Sequence, residues 1–356
     1  MLAYVGVGLL FVSCALLTLL AISVETGLTG LAVGLVLAAL PVCPVVAAFL
    51  WLDRHEAEPR RLLLFAFGWG AAVATLIALV LNSASVLALG SSGGDPALAA
   101  FTVAPIVEET AKGLAVVGVL LLRRREFDGV VDGIVYAGMA GIGFAFVENV
   151  LYLGRSFVED GGGEATLGTF LVRAVFSPFA HPLFTMATGI GIGLAASRRG
   201  VANRFLAPIV GWTVAVALHA AWNGSTLLGL RGFITVYAVV QVPIFVGAVV
   251  LAVLARGREG RLIADHLQGY ADAGWLTAAE VGMLTSPPAR RAALAWAARV
   301  VGEDGRRAMR DFQELASELA FLRERMLRRT APDDAAQTEH WLLQTMWLRR
   351  SQLLSR

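Results

Sequence analysis

The sequence predicts an all-α polytopic membrane protein of about eight transmembrane helices, followed by a small helical cytoplasmic domain. Three observations predict it. Hydrophobic residues make up 57% of the 356 residues and charged residues only 16%, where soluble domains carry about a quarter. Apolar runs long enough to cross a bilayer, about 20 residues each, recur near 2–23, 28–52, 62–90, 98–122, 129–153, 167–196, 204–226 and 233–255. From Arg256 onward the chain turns to Arg- and Glu-rich amphipathic segments. The expected division is a transmembrane domain over 1–255 and a cytoplasmic helical tail over 256–356.

Each element follows from local chemistry. The N-terminus lacks a basic region and a small-residue cleavage site, so it reads as a retained first span. Cys14 and Cys43 both fall in spans and build neither a disulfide framework nor a zinc ribbon. Pro41 and Pro44 should kink the second span and Pro243 the eighth. Arg54, Arg60 and Arg61 follow the second span, Arg123 to Arg125 the fourth, Arg198, Arg199 and Arg204 the sixth, and Arg256 and Arg258 the eighth. The other loops hold only Arg155 and Arg231. Arginine excess marks the cytoplasmic side, so both termini should be cytoplasmic and the loop Glu159 to Glu164 outside. Gly138, Gly141 and Gly143, with Gly189, Gly191 and Gly193, are spaced for close helix contact and match no dinucleotide fingerprint. Asp128 and Asp132 are placed to cap the fifth span. A net charge of +2 offers nothing to nucleic acid. In the tail, breaks at Ser286-Pro287-Pro288 and around Ala331 to Asp334 separate helices. Phe312, Leu315, Leu319, Leu322 and Met326 form a packing stripe there, and His266 and His340 lack ligand spacing.

Polar residues inside the spans carry the chemistry. Glu108, Glu109 and Lys112 lie in the fourth span, Glu148-Asn149 in the fifth, His181 in the sixth, and His219 with Asn223 in the seventh. Ionised groups at such depth cost several kcal/mol each and are seldom incidental. Lys112 is also the only lysine in the chain. Glu108 and Lys112 lie one helical turn apart, as do His219 and Asn223. A structural ion pair or a proton relay would use the same residue types. A glutamate can also deprotonate a water that imidazoles orient or a metal binds, while an amide or lysine steadies an oxyanion. That set suits peptide hydrolysis. The only His-Glu pair, His55-Glu56, has no second histidine at zinc-helix spacing, and Ser225 has no nucleophile elbow. His181, His219 and Glu148 could hold a divalent metal, zinc, with Glu108 or Glu109 as base. Alternatively the imidazoles and Asn223 hold a water that a glutamate deprotonates without metal.

The ordered motifs Glu108-Glu109-x-x-Lys112, Phe144-x-x-x-Glu148-Asn149, His181 and His219-x-x-Trp222-Asn223 resemble those of the PrsW family of intramembrane proteases, over roughly residues 50 to 255 including Asp53 and Glu58-Pro59. They are similar in order to CAAX prenyl proteases and bacteriocin-immunity membrane proteins, but Glu148 stands where those carry histidine. The resemblance implies a membrane-embedded endopeptidase in the cell membrane acting on membrane-tethered proteins, with anti-sigma factors the characteristic substrate. Catalytic roles then fall to Glu108, Glu109, Lys112 and Asn223, and metal ligation to Glu148, His181 and His219. The competing classes are a proton- or ion-coupled transporter, which should show a repeated half, and a CAAX-type protease. Oligomeric state and cleavage site are not legible.

Overall fold

Helix is the only regular structure among the described residues of this computed structural model, which are all except 1, 54–57, 93, 94, 96, 97, 125, 126, 128, 199, 355 and 356. Arg54, His55-Glu56, Arg125, Asp128 and Arg199 therefore lie outside the described residues. The chain divides into two units: Met1–Trp51, Glu58–Ala196 and Gly200–Val249 form the first, and Leu52–Ala57, Ser197–Arg199 and Val250–Arg356 the second.

The first unit contains α1 (Leu2–Ala39), α2 (Val42–Leu52), α3 (Arg60–Gly68), α4 (Thr75–Ser91), α5 (Ala104–Leu122), α6 (Val130–Asp160), α7 (Glu164–Phe170), α8 (Ala180–Ser197), α9 (Ala207–Thr226) and α10 (Gly229–Val236), and the start of α11 (Val242–Asp272). Among the described residues, six helical segments are long and apolar enough to cross a membrane: Val5–Leu52, Arg60–Ser91, Val130–Asp160, Glu164–Ser197, Asn203–Thr226 and Gly229–Asp272. Five π-helical turns interrupt the helices, at Trp69–Ala74, Ala99–Val103, Leu171–Phe176, Ala202–Leu206 and Tyr237–Gln241.

Within α1 the backbone leaves the helical region at Gly27, with φ 66°, a value that glycine adopts without steric cost. The neighbours on either side show a reversal there. Phe11 stacks on Phe65, and Cys14 packs with Ala72 and Val73, so this part ascends alongside α3. Beyond Gly27, Gly30 meets Gly154, Gly34 meets Val150, and the Phe49 ring fills the notch at Gly138, so the chain descends along α6.

α6 is the axis of this unit. Its backbone meets α8 at Gly133 and Gly189, where a Cβ on either would overlap the other's carbonyl oxygen, and again at Gly141 against Pro182. The low numbers of one helix meet the high numbers of the other, so the two run antiparallel. Gly191 and Gly211 make the equivalent approaches between α8 and α9. These are the small-residue contacts that let membrane helices pack closely, as the glycine spacing predicts. Asp132 accepts a hydrogen bond from the Gly129 N–H at 2.9 Å and caps α6.

The second unit has an ordinary apolar core. α12 (Ala278–Thr285), α13 (Pro287–Val300), α14 (Glu303–Leu327) and α15 (Ala335–Leu354) join the end of α11 around Ile263, Leu267, Phe312, Leu319 and Leu342, with Leu315 and Met326 partly buried at its margin. Thr277 and Glu280 form a capping box at the start of α12, and Ser286 caps α13 ahead of Pro287. His266 pairs with Glu324 at 2.7 Å and His340 with Gln344 at 2.8 Å, so both are spent on surface contacts.

Candidate active site

The glutamate pair and the lysine lie in the first three turns of α5, just after the π-helical turn Ala99–Val103 and with Pro105 at the helix start. A proline there loses no helical hydrogen bond, because the first N–H groups have no partner inside the helix. Helical spacing turns the two carboxylates apart. Glu109 and Lys112 are fully enclosed, at 0% exposure each, whereas Glu108 lines a cavity of about 930 Å³.

Glu109 is saturated with partners. Its Oε1 receives Lys112 Nζ at 2.6 Å and lies 2.9 Å from His219 Nδ1, and its Oε2 accepts from the Thr185 hydroxyl at 2.9 Å. The carboxylate fixes the imidazole: the proton belongs on Nδ1, and the Nε2 lone pair of His219 points inward. A carboxylate behind a histidine is the usual support of a metal-binding imidazole. Lys112 also reaches His181 Nδ1 at 3.1 Å and lies 4.5 Å over the Phe144 ring. An ammonium only donates, so His181 Nδ1 accepts, and its Nε2–H faces Glu148 Oε2 at 2.9 Å.

Glu108 differs from its neighbour. Oε1 accepts from Asn82 at 3.1 Å, but the buried Oε2 has no hydrogen-bond partner, with His219 Nε2 at 3.7 Å and Lys112 Nζ at 4.0 Å. A buried acceptor without a partner costs about 1–3 kcal/mol. Glu108, His181 and His219 each offer a ligand atom, all within 4.8 Å of one another. Ligands sit about 2.0–2.2 Å from zinc, so the separation of Glu108 Oε2 and His219 Nε2 suits one shared ion. Charge counting points the same way. At full ionisation three carboxylates, Glu108, Glu109 and Glu148, face two cations, Lys112 and Arg173, leaving one negative charge in the cluster.

Six of the seven expected site residues thus converge. Glu148 does so through Arg173 and His181 rather than through the three-donor group, in which Glu108 takes the position expected of it. Asn223 stands on the cavity wall, its amide donating to the Ala100 carbonyl at 2.8 Å. Sequence reading missed three partners: Asn82 on Glu108, Thr185 on Glu109, and Arg173 on Glu148 and Asn149. An arginine inside an apolar run was the available signal for the last. Asn82 and Thr185 carry no such mark, since short polar side chains are common in spans.

The sequence profile of PrsW family intramembrane metalloproteases matches residues 58–248. Protease PrsW of Geobacillus kaustophilus is 33% identical over 155 residues, 44% of this chain and 63% of the relative. That of Clostridioides difficile is 30% identical over 153 residues, 42% and 62% respectively, and that of Bacillus subtilis 27% over 155 residues, 44% and 65%. The chain therefore spans slightly less than two thirds of the length of the curated relatives it matches. No solved structure matches it. The matched region carries every motif from Glu108 to Asn223, and this multi-pass chain belongs to the PrsW family of intramembrane metalloproteases.

Proposed function

We propose that this protein is an intramembrane endopeptidase that hydrolyses peptide bonds of membrane-tethered proteins, anti-sigma factors being the class the family resemblance suggests. The observation that carries this reading is the unpartnered Oε2 of Glu108, buried beside a large cavity and facing the His219 lone pair. A transporter reading has less support, since both histidines and Glu109 are held by fixed partners rather than arrayed along a path.

Glu108, His181 and His219 would hold a divalent cation, zinc by its preference for imidazole and carboxylate donors, with His181 Nε2 giving up its proton and its bond to Glu148 in order to ligate. When bound, such an ion acidifies a water and polarises the scissile carbonyl. The chain's own residues do the rest. Glu109 and Lys112 keep His219 and His181 in register. Glu148 lines the cavity with Oε1 uncommitted among the described residues, so Oε1 takes the proton of the attacking water and passes it to the leaving amine. Asn223, on the cavity wall, steadies the developing oxyanion.

One observation favours a second reading. His181 is engaged at both nitrogens, so a metal-free site would leave Glu108 Oε2 and His219 Nε2 to hold the water, with Glu108 as base. Purified protein separates the two. The cation reading expects close to one equivalent of zinc, reduced in Glu108→Gln and His219→Ala, with cleavage of a membrane-tethered reporter lost on chelation and restored by zinc. Active, metal-free protein would reassign Glu108 from ligand to base, and a fully active Glu108→Gln protein would overturn both.

The same reading takes the chain as crossing the membrane eight times with both termini cytoplasmic, and 256–356 as a cytoplasmic helical domain. The 48-residue segment Val5–Leu52 accounts for two crossings by its turn at Gly27, and α5 supplies another despite its three charges. A reporter after Gly162 should read outside.

A further inference from the structure

Arg173 is a charged residue of the cavity wall that lies outside the motifs. It sits in the π-helical turn Leu171–Phe176, between α7 and α8. Such turns widen a helix by one residue and often mark functional positions. Here the widening, and the break at Ser177 that follows it, bring Arg173 and His181 to the same carboxylate oxygen. The contacts of the guanidinium lie along one stretch of α6. Its Nη2 donates to Glu148 Oε2, its Nε donates to Asn149 Oδ1 at 2.6 Å, and its Cζ lies 3.9 Å from the centre of the Tyr152 ring.

We infer that Arg173 is the positioning residue for Glu148: it fixes the carboxylate by one oxygen and so selects Oε1 as the oxygen offered to the reaction. Three features of the geometry carry the inference. Glu148 and Asn149 are adjacent in sequence and therefore point about 100° apart on α6. A guanidinium meets both with donors fixed in two directions of one plane, whereas an ammonium is a point charge that defines no such plane. The guanidinium carbon lies over Tyr152, one turn further along α6, which adds a third contact on the same stretch. Finally, His181 Nε2 lies 2.9 Å from the same Oε2, so both contacts fall on one oxygen and none on the other. Carboxylates held in this way cannot exchange their two oxygens by rotation without breaking both bonds.

This inference rests on the endopeptidase reading, and the experiment keeps the two apart. Turnover of a membrane-tethered reporter is measured in proteoliposomes for the wild type, Glu148→Gln, Arg173→Ala, Arg173→Lys and Asn149→Ala. Misplacing a reacting group by about 1 Å costs on the order of 10²-fold, so Arg173→Ala should lose about that factor in kcat with KM within about twofold. Added guanidinium ion should restore a large part of it, and methylammonium should not. Arg173→Lys should stay well below the wild type, and Asn149→Ala should cost less than Arg173→Ala and add little to it. Full kcat in Arg173→Ala beside an inactive Glu148→Gln would overturn the role of Arg173 alone. So would a well-folded Arg173→Ala or Arg173→Lys whose loss lies in KM and which guanidinium does not rescue. An active Glu148→Gln would overturn Glu148 as the base and the positioning role of Arg173 with it, and a wild type without turnover would overturn the endopeptidase reading itself.

Discussion

The two units of this chain are built inside out with respect to each other. In the first unit, large apolar side chains such as Leu16, Val24, Leu28 and Leu121 face outward, while Glu109, Lys112 and His219 are enclosed. In the second, Ile263, Leu267, Leu319 and Leu342 are enclosed, and the arginines and glutamates of α14 stay on the surface. Helices in lipid gain nothing by hiding leucine from hydrocarbon, so they associate through close backbone approach and buried polar links. Helices in water gain about 25 cal/mol for each Å² of apolar surface removed. The same alphabet therefore places its carboxylates oppositely, and only the inverted unit encloses charged groups behind an apolar exterior.

Substitutions that attack each principle of construction should separate the two units. The largest effect is expected for Gly133→Leu, where a side chain must enter the space of the Gly189 carbonyl and force α6 from α8. A cost above about 4 kcal/mol would leave little monodisperse protein in detergent; normal recovery would show that the close approach is dispensable. Lys112→Met comes next. It removes the donor from Glu109 Oε1 and His181 Nδ1 together, and breaking a buried pair costs about 3–5 kcal/mol. Reduced thermal stability and lost turnover are expected, and a fully stable, active variant would refute the pairing. Leu319→Ala in the second unit should cost about 2–5 kcal/mol, read as loss of the unfolding transition assigned to residues 250–356. The smallest effect is at Thr277, whose hydroxyl accepts from the Glu280 N–H at 3.2 Å. Thr277→Ala should cost about 1 kcal/mol, visible as a shift of that same transition and nowhere else.

Much of this was legible in the sequence, and the gaps have physical causes. Helical class, the glycine contacts, the tail stripe from Phe312 to Met326 and the convergence of four spans on Glu108, Glu109, Glu148, His181 and His219 follow from periodicity and from the cost of burying charge. The separate duties of Glu108 and Glu109 were not legible. They depend on which way α5 faces after the π-helical turn Ala99–Val103, and single inserted residues leave no periodic trace. For the same reason Arg173 escaped notice: its reach to Glu148 depends on a widened turn, not on spacing. The exchange of Glu108 for Glu148 in the three-donor group is likewise a matter of rotamers and partners, with Arg173 drawing Glu148 to one side.

The enclosure of Lys112 has a practical corollary. No other lysine occurs in these 356 residues, and this one has no exposed surface. Amine-directed reagents thus find no side-chain target on the folded molecule, and tryptic cleavage of its surface falls only at arginines. Acylation at position 112 becomes a native tracer of bundle opening, a single chemical clock that starts when α5 parts from its neighbours.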